Sequence, residues 1–210
     1  MDDMIKLLSV FIEGKAWWTG FEVESAHRAF NYYINKNHSK DVLMLGESCH
    51  SKVINSHNMP EQIIFHPDHS DYDHLLICGK SLGGINVYET FEHLFENNLD
   101  YLKTRKSISL VFGDAYGTFF SFKKGFKTYS HKNALIIPEE WKQELPKLKI
   151  YNAYQRVKLD PFMGTYMIGA DELYNFERCN INKFNERPHM NFMAHPRWEE
   201  VINDIIGAIR

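Results

Sequence analysis

Five short apolar runs, separated by stretches long enough to hold a helix, constrain this chain more than any other feature. They are residues 5–12 (IKLLSVFI), 41–45 (DVLML), 74–78 (HLLIC), 107–112 (SISLVF) and 148–151 (LKIY), and Gly14, Gly46, Gly79 and Gly113 stand at or just past the ends of four. Each is too short for a buried helix. Apolar residues at consecutive positions suit strands covered on both faces. A shorter run, QIIF at 62–65, predicts one more strand.

The stretches between them carry helical periodicity. Val23, Ala26, Phe30, Tyr33 and Ile34 recur at three- and four-residue steps. A helix over 82–97 would bury Ile85, Tyr88, Phe91 and Leu94 and turn Glu89, Glu92 and Glu96 to solvent. Trp198, Val201, Ile202, Ile205, Ile206 and Ile209 form one stripe of a C-terminal helix. Strands alternating with helices of this length need crossover connections, which predicts an α/β fold with a mostly parallel sheet flanked by helices.

The 210 residues suffice for one good-sized core, and no repeat, low-complexity tract or linker divides them, so a single domain over 1–210 is expected. A formal net charge of -3 gives no electrostatic reason to expect a nucleic-acid partner. Cys49, Cys78 and Cys179 are odd in number and widely spaced, which fits reduced thiols in a cytoplasmic compartment. The apolar run near Met1 is too short for a membrane span, and acids precede it where a signal peptide has bases.

Residues 73–89, DHLLICGKSLGGINVYE, carry the chemistry. An apolar strand meets Gly-x-Ser-x-Gly (Gly79, Ser81, Gly83), and an amphipathic helix starts at once. A nucleophile on so sharp a turn projects its hydroxyl from the carboxyl edge of the sheet. Glycines two before and two after it leave room for the helix to approach the strand. The Leu82 N–H, at a helix start, would point into the same space and stabilise an oxyanion.

The run 79–84, GKSLGG, resembles the GHSLGG elbow of lipase- and esterase-like α/β hydrolases, with Lys80 where histidine is more usual. The resemblance extends through 150–156 (IYNAYQR), 164–173 (GTYMIGADEL) and 188–198 (PHMNFMAHPRW) to the C-terminal helix. It implies that the chain starts at what would be the third strand of the full fold. It also implies a triad in chain order: serine, then an acid after a later strand, then a histidine before the last helix.

For the acid, Asp114 directly follows SISLVFG and is favoured over Asp160, because a triad acid must be rigidly held. For the base, His189 and His195 both precede the final helix. His189 is favoured, since His195-Pro196 also makes a helix-start turn. The second oxyanion donor is expected from the loop EGKAWWTG after the first strand, with the Lys15 N–H as candidate; Trp17 and Trp18 can wall an acyl pocket or simply pack. The expected reaction is hydrolysis of a carboxylic ester or related acyl bond in a small-molecule or lipid-like substrate, with no cofactor implied. A non-catalytic relative of the same fold is the alternative.

The stretch 66–74, HPDHSDYDH, is dense in metal-capable side chains but lacks an HxHxDH order or an HExxH spacing. A solvated loop leading into the next strand is expected there, with no metal.

Overall fold

The computed structural model describes residues 4–12, 22–45, 48–49, 59–64, 72–80, 82–113, 118–121, 125–128, 135–154, 167–176, 193 and 195–210. In chain order the elements begin with β1 (Ile5–Ile12), α1 (Glu22–His38), β2 (Val42–Leu45), β3 (Ser48–Cys49), α2 (Met59–Ile64), β4 (His74–Lys80), α3 (Leu82–Asn97) and α4 (Leu99–Thr104). They continue with β5 (Ser107–Gly113), β6 (Thr118–Ser121), β7 (Gly125–Thr128), β8 (Leu135–Ile136), α5 (Glu139–Glu144), β9 (Leu148–Tyr154), β10 (Met167–Ile168), β11 (Glu172–Asn175) and α6 (Trp198–Ile209).

The five apolar runs all become strands of one sheet, ordered β11-β9-β5-β4-β1-β2. Every neighbouring pair is parallel, and β3 lies along the far end of β1, beyond β2. β4 is buried at all of its positions, as a central strand covered on both faces must be. The sixth strand, β11 (ELYN), has a mixed polar pattern and was not expected. An edge strand with exposed Glu172 and Leu173 lacks the apolar run that marks the others.

One side chain in two along each strand faces each layer. Leu8, Val10, Ile77, Leu110, Phe112 and Ile150 pack with Val87, Tyr88, Phe91 and Leu94 of α3 and with Trp141 of α5. Leu7, Phe11, Leu76, Cys78, Val111 and Tyr151 pack with Phe30 and Ile34 of α1 and with Trp198, Val201, Ile202, Ile205 and Ile206 of α6. The helical stripes expected for α3 and α6 are therefore the faces they bury, and Phe30, Tyr33 and Ile34 show the same for the described part of α1.

The strand expected over 62–65 is incorrect: Met59–Ile64 is the helix α2. Pro60 stands in its first turn, where proline's fixed φ suits a helix and its missing N–H costs nothing. Ile63 is buried and Ile64 half-buried against the α3 layer, so one turn already satisfies the two apolar residues that read as a strand. β6 and β7 form an antiparallel hairpin, and β8 and β10 a two-residue parallel ladder. Among the described residues, no helix is long and apolar enough to cross a membrane.

Candidate active site

The junction after β4 is as tight as the motif predicts. The strand ends at Lys80 and α3 begins at Leu82, so a single residue, Ser81, joins them. Ser81 itself lies outside the described residues. A Cβ built on Gly79 would sit 2.3 Å from the carbonyl oxygen of Gly83, 2.5 Å from its carbon and 2.7 Å from Val87 Cγ2. The helix backbone thus occupies the space that any side chain at 79 would need. Position 79 is glycine because strand and helix touch there. Leu82 is the first residue of α3, and the first turn carries no acid. The amide donors and positive end of this helix are therefore not neutralised by an acid of its own first turn.

Strand order then decides what lies beside this junction. β1 has β2 on one side and β4 on the other, so the chain reverses its direction of travel across the sheet between them. In open α/β sheets the crevice outside the carboxyl ends at such a point is where ligands bind. Ile12 is level with Gly79, Lys80 with Gly113, and Gly113 with Ala153, so β1, β4, β5 and β9 end along one edge. β11, paired in register with β9, ends there too. The segments bearing Lys15, Ser81, Asp114, Asp160 and His189 each follow one of these strand ends in the chain. All five residues lie outside the described residues.

His195 is described, and its geometry is that of a helix-start residue. Its ring stacks on Phe176, with centroids 4.7 Å apart and planes 28° apart. Its Nδ1 accepts the backbone N–H of Arg197 at 3.0 Å. Burial, helped by the Arg197 cation, holds its pKa below the usual histidine value. A neutral imidazole whose Nδ1 is an acceptor carries its proton on Nε2. A triad base needs the opposite tautomer, with Nδ1–H given to the acid and Nε2 free to take the serine proton. Arg197 reinforces the arrangement, donating to the Asn175 carbonyl oxygen and, from Nε, to Glu200 at 2.7 Å.

The histidine-rich stretch leads to the other end of the sheet. His74 is the first residue of β4, about 20 Å along the strand from the Ser81 junction at roughly 3.3 Å per residue. It is buried, its Nδ1 lies 2.8 Å from Ser107 Oγ, and burial holds its pKa low. Asp73 pairs with Lys106 at 2.5 Å, and that hydrogen bond holds its carboxyl below the usual range. Residues 65–71 lie outside the described residues, and among those described no three His, Cys, Asp or Glu side chains gather as a metal site.

Two further groups matter near the carboxyl edge. Cys78 is a free thiol, fully enclosed, and burial pushes its pKa well up, so it is an inert core residue. Lys80 is only 4% exposed, which its place in an elbow motif did not foretell. Its signal in the sequence is a cation that directly continues the apolar run of β4. No family model matches this chain, and no curated protein sequence matches it either.

Proposed function

We propose that the protein is a serine hydrolase that cleaves a carboxylic ester or related acyl bond of a small-molecule or lipid-like substrate. The observation that carries this reading is the junction after β4. A single serine lies between a central parallel strand and a helix, and the glycine two residues before it is required by backbone contact. The junction also lies beside the point where the strand order reverses, where open α/β sheets bind their ligands.

In the proposed reaction Ser81 Oγ attacks the substrate carbonyl while His189 Nε2 takes its proton. The oxyanion is met by the N–H groups of Leu82 and Lys15. The tetrahedral intermediate collapses, the alcohol leaves with the proton from His189, and an acyl group remains on Ser81. Water then repeats the sequence and releases the acid. Asp114 fixes the imidazole tautomer. The tautomer of His195 supports His189 as the base, because Nε2 of His195 already carries a proton. A buried free thiol at Cys78 fits the reducing, cytoplasmic setting that we infer for it.

A fluorophosphonate probe tests the reading. We expect stoichiometric labelling that maps to Ser81 and vanishes in Ser81→Ala. A folded wild-type protein that takes no label would leave a non-catalytic binding module. Label carried equally by wild type and Ser81→Ala would refute Ser81 as nucleophile.

A further inference from the structure

Asn152 is completely buried on β9, close to the carboxyl edge. It follows Ile150 on the α3/α5 face of that strand and is level with Phe112 of β5, both members of the apolar core. Its Nδ2 donates to the Phe112 carbonyl oxygen at 3.2 Å, and its Oδ1 accepts the Met167 backbone N–H at 3.0 Å. A carbonyl on one side and an N–H on the other admit one orientation of the amide. An apolar side chain of similar size would fill the layer without the cost of desolvating an amide. What the amide adds is a fixed relation between two backbones.

Those backbones belong to the roots of two chain connections. Phe112 is the last residue but one of β5, and Met167 opens β10, where the chain returns after β9. Met167 is level with Leu135 of β8, where the chain returns after β5 and the hairpin. Departure and return of both connections thus meet around one side chain. A second tie holds β10 from its far end: Lys142 Nζ donates to the Gly169 carbonyl oxygen at 2.6 Å and to Asp171 Oδ1 at 2.9 Å. We propose that Asn152 is a positioning residue of the carboxyl edge. It sets the end of β5 and the start of β10 in the relation that the reaction needs, whereas Lys142 secures the fold alone. The role rests on the hydrolase reading above; the two hydrogen bonds do not.

Three variants are read in fluorophosphonate labelling (maximal rate and half-saturation), in Tm and in hydrogen exchange of the Met167 amide. Asn152→Leu should speed that exchange by about tenfold or more and slow maximal labelling by about tenfold, with half-saturation unchanged. Lys142→Met should lower Tm by about 3 °C and leave maximal labelling within about twofold of wild type. Asn152→Asp supplies a pH signature. Burial beside the Phe112 carbonyl oxygen raises the pKa of the new carboxyl. Protonated, the carboxyl replaces the amide, its O–H donating to Phe112 and its other oxygen accepting from Met167. Ionised, it sets a charge against the carbonyl oxygen. Between the unfolded value of about 3.9 and the raised folded value, the folded state alone holds the proton, so this variant gains stability on wild type as pH falls. Its maximal labelling, as a ratio to wild type at each pH, should likewise rise about tenfold from pH 8.5 to 5.5. Titration of the base is common to both proteins and cancels in the ratio.

Full labelling speed in Asn152→Leu, an equal loss in Lys142→Met or a pH-independent ratio in Asn152→Asp would overturn the positioning role. Unchanged exchange at Met167 would overturn the bond through which it works. If Asn152→Leu does not fold, the acid variant decides alone, because one chain is compared with itself at two pH values. Wild-type protein that takes no label would sink the hydrolase reading and the positioning role together, while exchange at Met167 would still decide the hydrogen bond.

Discussion

The two ends of the same parallel sheet handle their polar residues in opposite ways. At the amino end several described polar groups are matched by a neighbour. His74 is bonded to Ser107, Asp73 to Lys106, and Arg105 donates to the Tyr72 carbonyl oxygen while lying over the Tyr72 and Tyr101 rings. At the carboxyl end, small residues (Gly79, Gly113, Ala153) stand at or one residue short of the ends of three adjacent strands, and α3 presents its N-terminus. The richest cluster of catalytic-looking side chains in the sequence thus leads to the end where hydrogen bonds are already satisfied. Chemistry is better sought where backbone donors and space converge than where histidines are dense.

The sharpest way to break this contrast is to compare one substitution at each end. Ser81→Ala, or His189→Ala, should cost on the order of 10⁶ in turnover of a p-nitrophenyl ester. His74→Asn should leave turnover within about twofold, since an amide can keep the bond to Ser107. Loss of activity in the His74 variant with Ser81→Ala still active would move the site to the amino end.

Gly79→Ala ranks next. The new methyl would overlap the Gly83 backbone, which cannot rotate aside as a side chain can. We expect a loss of about 3 kcal/mol in denaturant unfolding. A displaced junction should also cost about 100-fold in labelling rate. An alanine variant as stable and as reactive as wild type would show that strand and helix do not meet so closely.

The fold was legible because its signal is physical and local. A central parallel strand must be apolar at consecutive positions, so β1, β4 and β5 announced themselves, and α3 and α6 did so through their buried stripes. β11 was not legible, because an edge strand is free to be polar, and α2 was misread because two adjacent isoleucines satisfy a strand or a single helical turn equally. Of the site, the Gly79–Ser81–Gly83 spacing was readable as a contact requirement. The burial of Lys80 was not, since nothing local distinguishes it from a solvated lysine at a strand end.

A substitution at His195 separates the two candidate bases, His189 and His195. His195→Ala removes one hydrogen bond to the Arg197 N–H and one stacked ring, together worth about 1–2 kcal/mol. Labelling of Ser81 should fall by less than about tenfold, with the loss appearing in Tm. If His195→Ala is inert while His189→Ala labels normally, the base is His195 and its ring must turn over to act.

The smallest effect is in the pH dependence of stability, and His74 carries it at the amino end. Burial is the main cause of its lowered pKa, with Asp73 opposing and Lys106 assisting. In the unfolded chain the group returns to about 6.5. Below that pH the unfolded state takes up a proton that the folded state refuses, so stability falls as pH drops from 6.5 toward the folded pKa. Above 6.5 this penalty is absent. His27 and His195 are shifted in the same direction by burial, so they add to the same slope. Asp73, Glu199 and Glu200 are held below their usual values by hydrogen bonds, and their contributions disappear only below about pH 4.5, outside this window. Urea unfolding at pH 7.5, 6.5 and 5.5 should therefore show wild type weakening across the last interval. His74→Asn should weaken less, by a slope of at most one proton, about 1.4 kcal/mol per pH unit. An unchanged slope would mean that His74 is solvated in the folded protein, and that the amino end is not the closed, structural end that its hydrogen bonds describe.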